Sequence, residues 1–146
     1  RVTPYVAHPF RVMFILRDQF EVKDPEVLAA GVLHDTIEDT TTDFDDIQER
    51  FGARVAQYVT ILTKDKRMRE KEREHIYFEG LRAAPIEVKL CKLADSLDNV
   101  SDAVGLPPQG REKAVKKAKQ LIEIFEAGFP REWTHALDKL RAALTE

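Results

Sequence analysis

The amino-acid sequence predicts an all-α protein of several helices in a single domain, on three observations. Apolar residues recur with helical periodicity through nearly the whole chain, and strand-like alternation is nowhere sustained. The 146 residues suit one domain, and no internal repeat or long linker divides them. One segment, GLPPQG at 105–110, interrupts the helical pattern with two glycines and two prolines. We therefore expect one multi-helix domain over residues 1–146.

The first two helices have recognisable starts. Pro9 suits the first turn of a helix over residues 9–20, because its missing N–H is not needed there. Asp24 is a good N-cap for a second helix that opens with Pro25. The apolar periodicity predicts that this second helix carries His34 and Asp35 near its end.

The remaining helices follow from caps and breaks. Thr42 is the expected N-cap of a short third helix that Gly52 ends, and Val55 and Val59 mark a fourth. A charged fifth helix is predicted over 67–81 and a strongly apolar sixth over 85–104. Two further helices are expected after the break, over 112–127 and 131–144.

Composition excludes several classes of protein. A net charge of −3 lacks the basic field that nucleic-acid polymers usually require. No apolar run approaches the roughly 20 residues that cross a bilayer, so no membrane partner is expected. Cys91 is the only cysteine, which predicts a reducing cytoplasm. Because the chain starts at Arg1 in front of a Thr-Pro-Tyr turn, we expect a leader or first helix to precede it.

The most informative segment is LHDTIED at 33–39, which follows the apolar run VLAAGV at 27–32. It gathers one imidazole and three carboxylates beside apolar residues, and burying such groups without compensation is costly. A metal ion is the usual compensation. The segments YVAHP at 5–9 and KLADSLDN at 92–99 offer the remaining ligands.

We predict that His8, His34, Asp35 and Asp95 bind the metal. Two imidazoles and two carboxylates, completed by water, suit manganese, iron or another first-row divalent ion. Such an ion lowers the pKa of its bound water and makes hydroxide available near neutral pH. The sequence therefore indicates a hydrolytic metal centre.

Helical spacing places further polar residues around this centre. If the helix continues past Asp35, Glu38 and Asp39 each lie four residues beyond a ligand and face the same cavity. These two carboxylates are then placed to orient or deprotonate the attacking water. On the sixth helix Asn99 lies one turn beyond Asp95 and is predicted to orient the substrate or a ligand, whereas Asp98 and Asp102 are expected on a solvated face.

A basic run begins where the fourth helix is expected to end. Its first members are Lys64, Lys66 and Arg67. They are candidates for phosphate contacts because a basic run near the metal can attract and position a substrate that carries several negative charges. The later cations alternate with glutamates, which is typical of a solvated helix face. His75 and His135 are expected at the surface.

These residues resemble those of HD-domain hydrolases, and more narrowly the hydrolase domain of RelA/SpoT proteins and the small alarmone hydrolases. The likeness rests on the motifs TPYVAHP at 3–9, LHDTIEDT at 33–40, FG at 51–52, LTK at 62–64 and KLAD at 92–95. It covers roughly residues 3–102. The Glu-Asp pair that follows His-Asp is its specific part, since other HD phosphohydrolases need only the metal ligands.

The resemblance implies a manganese-dependent hydrolase that removes the 3′-pyrophosphate of guanosine tetra- or pentaphosphate. His8, His34, Asp35 and Asp95 match the metal ligands, and Glu38 and Asp39 the catalytic carboxylates. Tyr5 matches a residue of the nucleotide pocket, and Asn99 a polar position in the active site. The chain departs from the pattern at Ser96, where the family has Arg or Lys, and only Arg1 represents the basic segment before Thr-Pro-Tyr.

Two alternatives stay open from the sequence. The same metal centre can serve an HD phosphohydrolase that acts on another phosphorylated nucleotide, because the departures affect substrate contacts more than metal ligands. The chain can also be a non-catalytic nucleotide-sensing HD module. The oligomeric state does not follow from the sequence.

Overall fold

The fold is entirely helical within the part of the chain that the computed structural model describes, residues 7–35 and 43–145. The all-α prediction is therefore confirmed. In chain order the helices are α1 (Ala7–Phe14), α2 (Pro25–Leu33), α3 (Phe44–Phe51), α4 (Ala53–Ile61), α5 (Glu70–Arg82), α6 (Ile86–Asp102), α7 (Pro108–Glu126) and α8 (Thr134–Ala143). A π-helix, Ile15–Gln19, follows α1, and short 3₁₀ turns span Ala103–Gly105 and Arg131–Trp133.

The helix predicted over 9–20 has two parts. After α1 the backbone widens into the π-helix, in which the Phe20 N–H donates to the Ile15 carbonyl oxygen at 2.9 Å. The wider turns leave Val12, Leu16 and Phe20 all fully buried. This apolar face fixes α1 against the core and thereby fixes His8 in its first turn.

α2 begins as predicted but ends just before His34 and Asp35, the two predicted ligands that it was expected to carry. The Asp24 carboxylate accepts a hydrogen bond from the Glu26 N–H at 2.9 Å, and Pro25 occupies the first turn. The helix ends at Leu33, so His34 and Asp35 lie in the following turn rather than inside the helix. The expectation that the second helix carries His34 and Asp35 near its end was therefore wrong.

α2 approaches the end of the first helical segment very closely, at Gly31. A Cβ atom at this position would lie 2.5 Å from Leu16 Cδ1, well inside van der Waals contact. Only glycine fits without moving a fully buried leucine. The close approach keeps the C-terminal end of α2, and the turn that carries His34, near α1.

The N-cap of α3 is Asp43, one residue after the predicted Thr42, which lies outside the described residues. Asp43 accepts from the Asp46 N–H at 3.0 Å, while the Asp46 carboxylate accepts from the Asp43 N–H at 3.2 Å. This reciprocal capping box satisfies the N–H groups of Asp43 and Asp46. Gly52 ends α3 with φ +95°, as predicted.

α6 is the central helix, and it packs against α1, α2, α4, α7 and α8. Its middle is buried on nearly every side, and even its polar residues Asp95, Ser96 and Asp98 are buried. α7 starts at Pro108 rather than 112, since proline is accommodated at the first position of a helix. Among the described helices, none combines the length and apolar character that a bilayer-spanning segment requires.

We expect the Asp43→Ala variant to lose about 1 kcal/mol of unfolding free energy, because an N-terminal N–H of α3 loses its acceptor. Urea denaturation measures the difference. Asp43→Asn is the matched control, since its side-chain oxygen still accepts the bond. Equal stability of the alanine and asparagine variants would contradict the capping role.

Candidate metal centre

The four predicted metal ligands meet at one point, although three separate parts of the chain supply them. His8 comes from the first turn of α1, His34 and Asp35 from the turn after α2, and Asp95 from the middle of α6. One donor atom from each lies within 4.8 Å of all the others. His8, His34 and Asp95 are buried, with 1%, 4% and 6% of their surface exposed, and Asp35 is half-buried.

The Asp95 carboxylate is the centre of the cluster. Its Oδ1 lies 2.8 Å from His8 Nε2 and 3.0 Å from His34 Nε2, and Lys92 donates to its Oδ2 at 3.0 Å. Burial alone would raise the pKa of Asp95. The ammonium of Lys92 and the hydrogen bonds of the two imidazoles outweigh burial and hold that pKa well below its ordinary value.

His34 is oriented by the helix that precedes it. Its Nδ1 donates to the Gly31 carbonyl oxygen at 2.6 Å, so Nε2 points toward Asp35 and Asp95. A carbonyl can only accept, and this fixes the proton on Nδ1 and leaves Nε2 for a metal. Burial opposes the charged imidazole, but the hydrogen bonds to the two carboxylates raise the pKa of His34 to about 10.

His8 is held between two carboxylates, and this corrects one prediction. Asp98 was expected on a solvated face, but it is buried and its Oδ2 accepts from His8 Nδ1 at 2.6 Å. Burial disfavours the charged His8, yet the hydrogen bonds to Asp95 and Asp98 raise its pKa above the ordinary value. A carboxylate on the outer nitrogen of a metal-binding imidazole fixes its orientation.

Arg11 in turn fixes Asp98. Its Nε donates to Asp98 Oδ1 at 2.6 Å and its Nη2 to Oδ2 at 3.0 Å, a bidentate pair between α1 and α6. The guanidinium and the His8 bond overcome burial and lower the pKa of Asp98. Asp102, also expected on a solvated face, is partly buried and lies 3.7 Å from Arg11.

This donor set fits a divalent metal ion. Two imidazole nitrogens and two carboxylate oxygens converge on one point, and each imidazole has its second nitrogen bonded to an oxygen acceptor. That combination of ligands is typical of first-row divalent ions. The cluster can therefore hold such an ion without rearranging the helices.

A cavity of about 310 Å³ opens over the cluster, and its wall is cationic. Lys64 and Lys66, which the sequence predicted as phosphate contacts, line it. So do Arg73, Tyr77 and Lys92, which the sequence analysis did not select. The alternating charges of residues 69–74 gave no sign that Arg73 turns inward; only the apolar spacing of Tyr77 one turn later hinted at an inward face.

Arg73 is notable because its Nε is buried and has no hydrogen-bond partner within residues 7–35 and 43–145. Glu74 Oε2 lies 4.0 Å away and likewise has no hydrogen-bond partner in that part of the chain. An unsatisfied buried donor carries a free-energy penalty. An anionic group in the cavity would remove it.

The other predicted substrate residues lie farther out or outside the described residues. Arg67 lies in the loop before α5, is 90% exposed, donates to Asp65, and does not line the cavity over the cluster. Asn99 Nδ2 lies 3.5 Å from Asp95 Oδ1 and faces a second cavity behind it. Tyr5, Glu38 and Asp39 fall outside the described residues, so their roles stay predictions.

Of the two histidines expected at the surface, one is exposed and the other is partly buried, and both lie away from the metal cluster. His75 is exposed on α5, as predicted. His135 is half-buried, because its Nε2 donates to the Phe20 carbonyl oxygen at 2.8 Å. It therefore ties α8 to the π-helical segment and takes no part in the metal cluster.

The fold and this cluster match one family. The model of the HD domain family matches residues 1–127, and the chain belongs to that family. HD domain hydrolases are metal-dependent enzymes, in agreement with the histidine and aspartate cluster.

Particular relatives are more informative about chemistry. The chain is 43% identical over 124 residues to guanosine-3′,5′-bis(diphosphate) 3′-pyrophosphohydrolase MESH1 of Danio rerio, and 40% identical over 108 residues to that of Homo sapiens. These alignments cover 85% and 74% of this chain, but 66% and 60% of those proteins. The chain thus spans less than two thirds of either relative.

A solved structure of a metazoan ortholog of SpoT that hydrolyses ppGpp is similar, with a TM-score of 0.80 and 32% identity. The superposition covers 96% of this chain and 81% of that one. A Listeria monocytogenes EGD-e protein has a TM-score of 0.78 at 27% identity, covering 97% of this chain and 96% of that one.

We expect the Asp98→Asn variant to bind Mn²⁺ about 10- to 100-fold more weakly, because His8 loses the carboxylate that orients it. The electron paramagnetic resonance signal of free Mn²⁺ measures the affinity. Asp102→Asn, one turn away, is the control and should change the affinity less than about twofold. Equal affinities of the two variants would show that Asp98 does not position His8.

The affinity for Mn²⁺ should rise with pH between 6 and 9. Only neutral imidazoles bind a metal, and His34, with a pKa of about 10, and His8, with a raised pKa, retain protons in the metal-free protein. Lowering the pH therefore adds competing protons, and release of one or two corresponds to about 10- to 100-fold in affinity per pH unit. Calorimetry in buffers of different ionisation enthalpy counts those protons; an affinity independent of pH would contradict this.

Proposed function

We propose that this chain is a metal-dependent hydrolase that removes the 3′-pyrophosphate of guanosine tetra- or pentaphosphate. The observation that carries the proposal is a buried cluster of His8, His34, Asp35 and Asp95 beneath a cationic cavity. The names of the MESH1 relatives support the substrate. Residues 1–146 would form one HD hydrolase domain that acts on a small nucleotide.

We propose Mn²⁺ as the ion, with Fe²⁺ or another first-row divalent ion as the alternative, because the ligands mix imidazole and carboxylate. When bound, such an ion supplies a nucleophilic water of lowered pKa. The protein's own contribution is rigidity: Gly31 and Asp98 each fix the outer nitrogen of one ligating imidazole.

The cationic wall would hold the phosphates. Lys64, Lys66 and Arg73 surround the cavity, and the buried Arg73 Nε would gain a phosphate oxygen as its acceptor. Lys64 and Arg73 are partly buried beside the cluster and Lys66 is exposed at its edge, so together they would attract a polyphosphate to the cavity. Tyr5 and Asn99 are proposed as contacts of the nucleotide, and Arg67 as a more distant one.

Glu38 and Asp39 are proposed as the carboxylates that orient and deprotonate the attacking water. In the sequence they follow the two ligands after only Thr36 and Ile37. A carboxylate within hydrogen-bond reach of a water can serve as its general base. The single cysteine, which is buried, is consistent with the proposed cytoplasmic location.

The decisive assay is release of pyrophosphate from guanosine tetraphosphate by metal-stripped protein, with and without added Mn²⁺. We expect Mn²⁺-dependent release of pyrophosphate and guanosine diphosphate. In the Asp95→Ala variant, the rate should fall more than about 100-fold, because the carboxylate shared by both imidazoles is lost. The control is Asp138→Ala, an exposed carboxylate on α8 that pairs with Arg141.

The outcomes separate the alternatives. Turnover of a different nucleotide in a panel assayed with Mn²⁺ would identify another phosphohydrolase. Tight nucleotide binding without turnover with any metal would indicate a sensor. Unchanged turnover in Asp95→Ala would exclude the metal cluster as the reaction centre.

A further inference from the structure

A second, smaller cavity adjoins the metal centre, and the function proposed above gives roles to its residues Lys64 and Asn99 but not to the cavity as a whole. Its volume is about 140 Å³, and it lies between α5, α6 and α7. Four residues, Lys64, Tyr77, Lys92 and Asp95, line both this cavity and the one over the cluster. The two cavities are therefore neighbours that share one wall.

The lining of the second cavity contains three ammonium groups and two carboxylates. Lys64 donates to Glu74 Oε1 at 2.8 Å, and Lys92 donates to Asp95 Oδ2 at 3.0 Å. The third cation, Lys117 of α7, makes no hydrogen bond or ion pair with any residue in the described ranges 7–35 and 43–145. The Asp95 carboxylate also accepts hydrogen bonds from two imidazoles. In the lining of this cavity, positive charges therefore outnumber negative ones.

Further cations strengthen this excess. Lys113 lies one helical turn before Lys117 on α7. Lys117 is exposed to solvent at the edge of the cavity. Partial desolvation and the charges of Lys64, Lys113 and Lys92 lower its pKa, while Glu74 offsets them only in part. Three ammonium groups line this cavity and that of Lys113 lies nearby, so their mutual repulsion costs free energy unless an anion joins them.

We propose that this cavity is a second phosphate subsite, in which Lys117 binds a phosphate group of the substrate that is not cleaved. The volume suits a phosphate group and is well below that of a site for a whole nucleotide. This rests on the proposed function, since guanosine tetraphosphate carries a 5′-diphosphate besides the reacting 3′-diphosphate. Lys117 would then select nucleotides phosphorylated at both positions.

The test compares two substrates in the Mn²⁺-loaded protein: guanosine 3′,5′-bis(diphosphate) and guanosine 3′-diphosphate, which lacks the 5′ phosphates. In Lys117→Gln, the KM for the first should rise about tenfold or more while its kcat stays near that of wild type. The KM for the second should not change. Lys117→Arg, which keeps the charge, should restore most of the loss.

The matched control is Lys116→Gln, which removes the neighbouring charge on α7. Lys116 is exposed and lines a different surface depression, so both KM values should stay within about twofold. Equal effects of Lys117→Gln on both substrates, or no effect on either, would overturn the proposal. Equal effects would place Lys117 against the guanosine part that both substrates share.

If wild type hydrolyses neither substrate, the proposed function fails while the subsite can still be tested. Metal-stripped wild type and Lys117→Gln are then titrated with inorganic pyrophosphate by calorimetry. Binding at least about tenfold tighter by wild type supports an anion site at Lys117. Equal affinity of the two proteins overturns it.

Discussion

The buried Asp95 carboxylate is the interaction on which the site depends. A lone carboxylate in the middle of an apolar helix would be unstable as an ion, and its pKa would rise until it was neutral. Here two imidazoles and the Lys92 ammonium surround it and keep it ionised. Removing any one partner leaves the others with an uncompensated charge in a buried position. The ionised state of Asp95 therefore depends on all three partners.

The central helix α6 has different surroundings on its two sides. On the side of α1 and α2, its carboxylates Asp95 and Asp98 face imidazoles and Arg11. On the side of α5 and α7, the environment is a set of lysines around two cavities. One helix thus presents the carboxylates of the proposed metal centre in one direction and borders the cavities proposed to hold phosphates in the other. The short distance between them suits a reaction in which a metal and a polyphosphate must meet.

The sequence predicted much of this arrangement, because its signals are local. Helix starts at Asp24 and Pro25 and the stop at Gly52 follow from backbone chemistry within a few residues. The four ligands could be selected because motif spacing and the family resemblance both identify them. Their convergence then requires only that α1, α2 and α6 pack together, which the apolar periodicity favours.

What the sequence could not predict depends on distant pairs. Asp98 was assigned to a solvated face because its partners, His8 and Arg11, lie about 90 residues away along the chain. The basic run gave no means to distinguish Arg67, which is exposed, from Arg73, which faces the cavity. The end of α2 was predicted too far along the chain, because apolar periodicity does not show where the hydrogen bonds of the last turn stop and His34 already lies in a turn.

The position of His8 in the first turn of α1 has a consequence for how long a metal would stay bound. The ends of helices open more often than their centres, and a ligand there would be released first. The bidentate Arg11–Asp98 pair joins the next turn of α1 to the middle of α6. Because it restrains α1 beyond His8, this pair opposes fraying of the helix end that carries His8, and it would slow the release of an ion bound there.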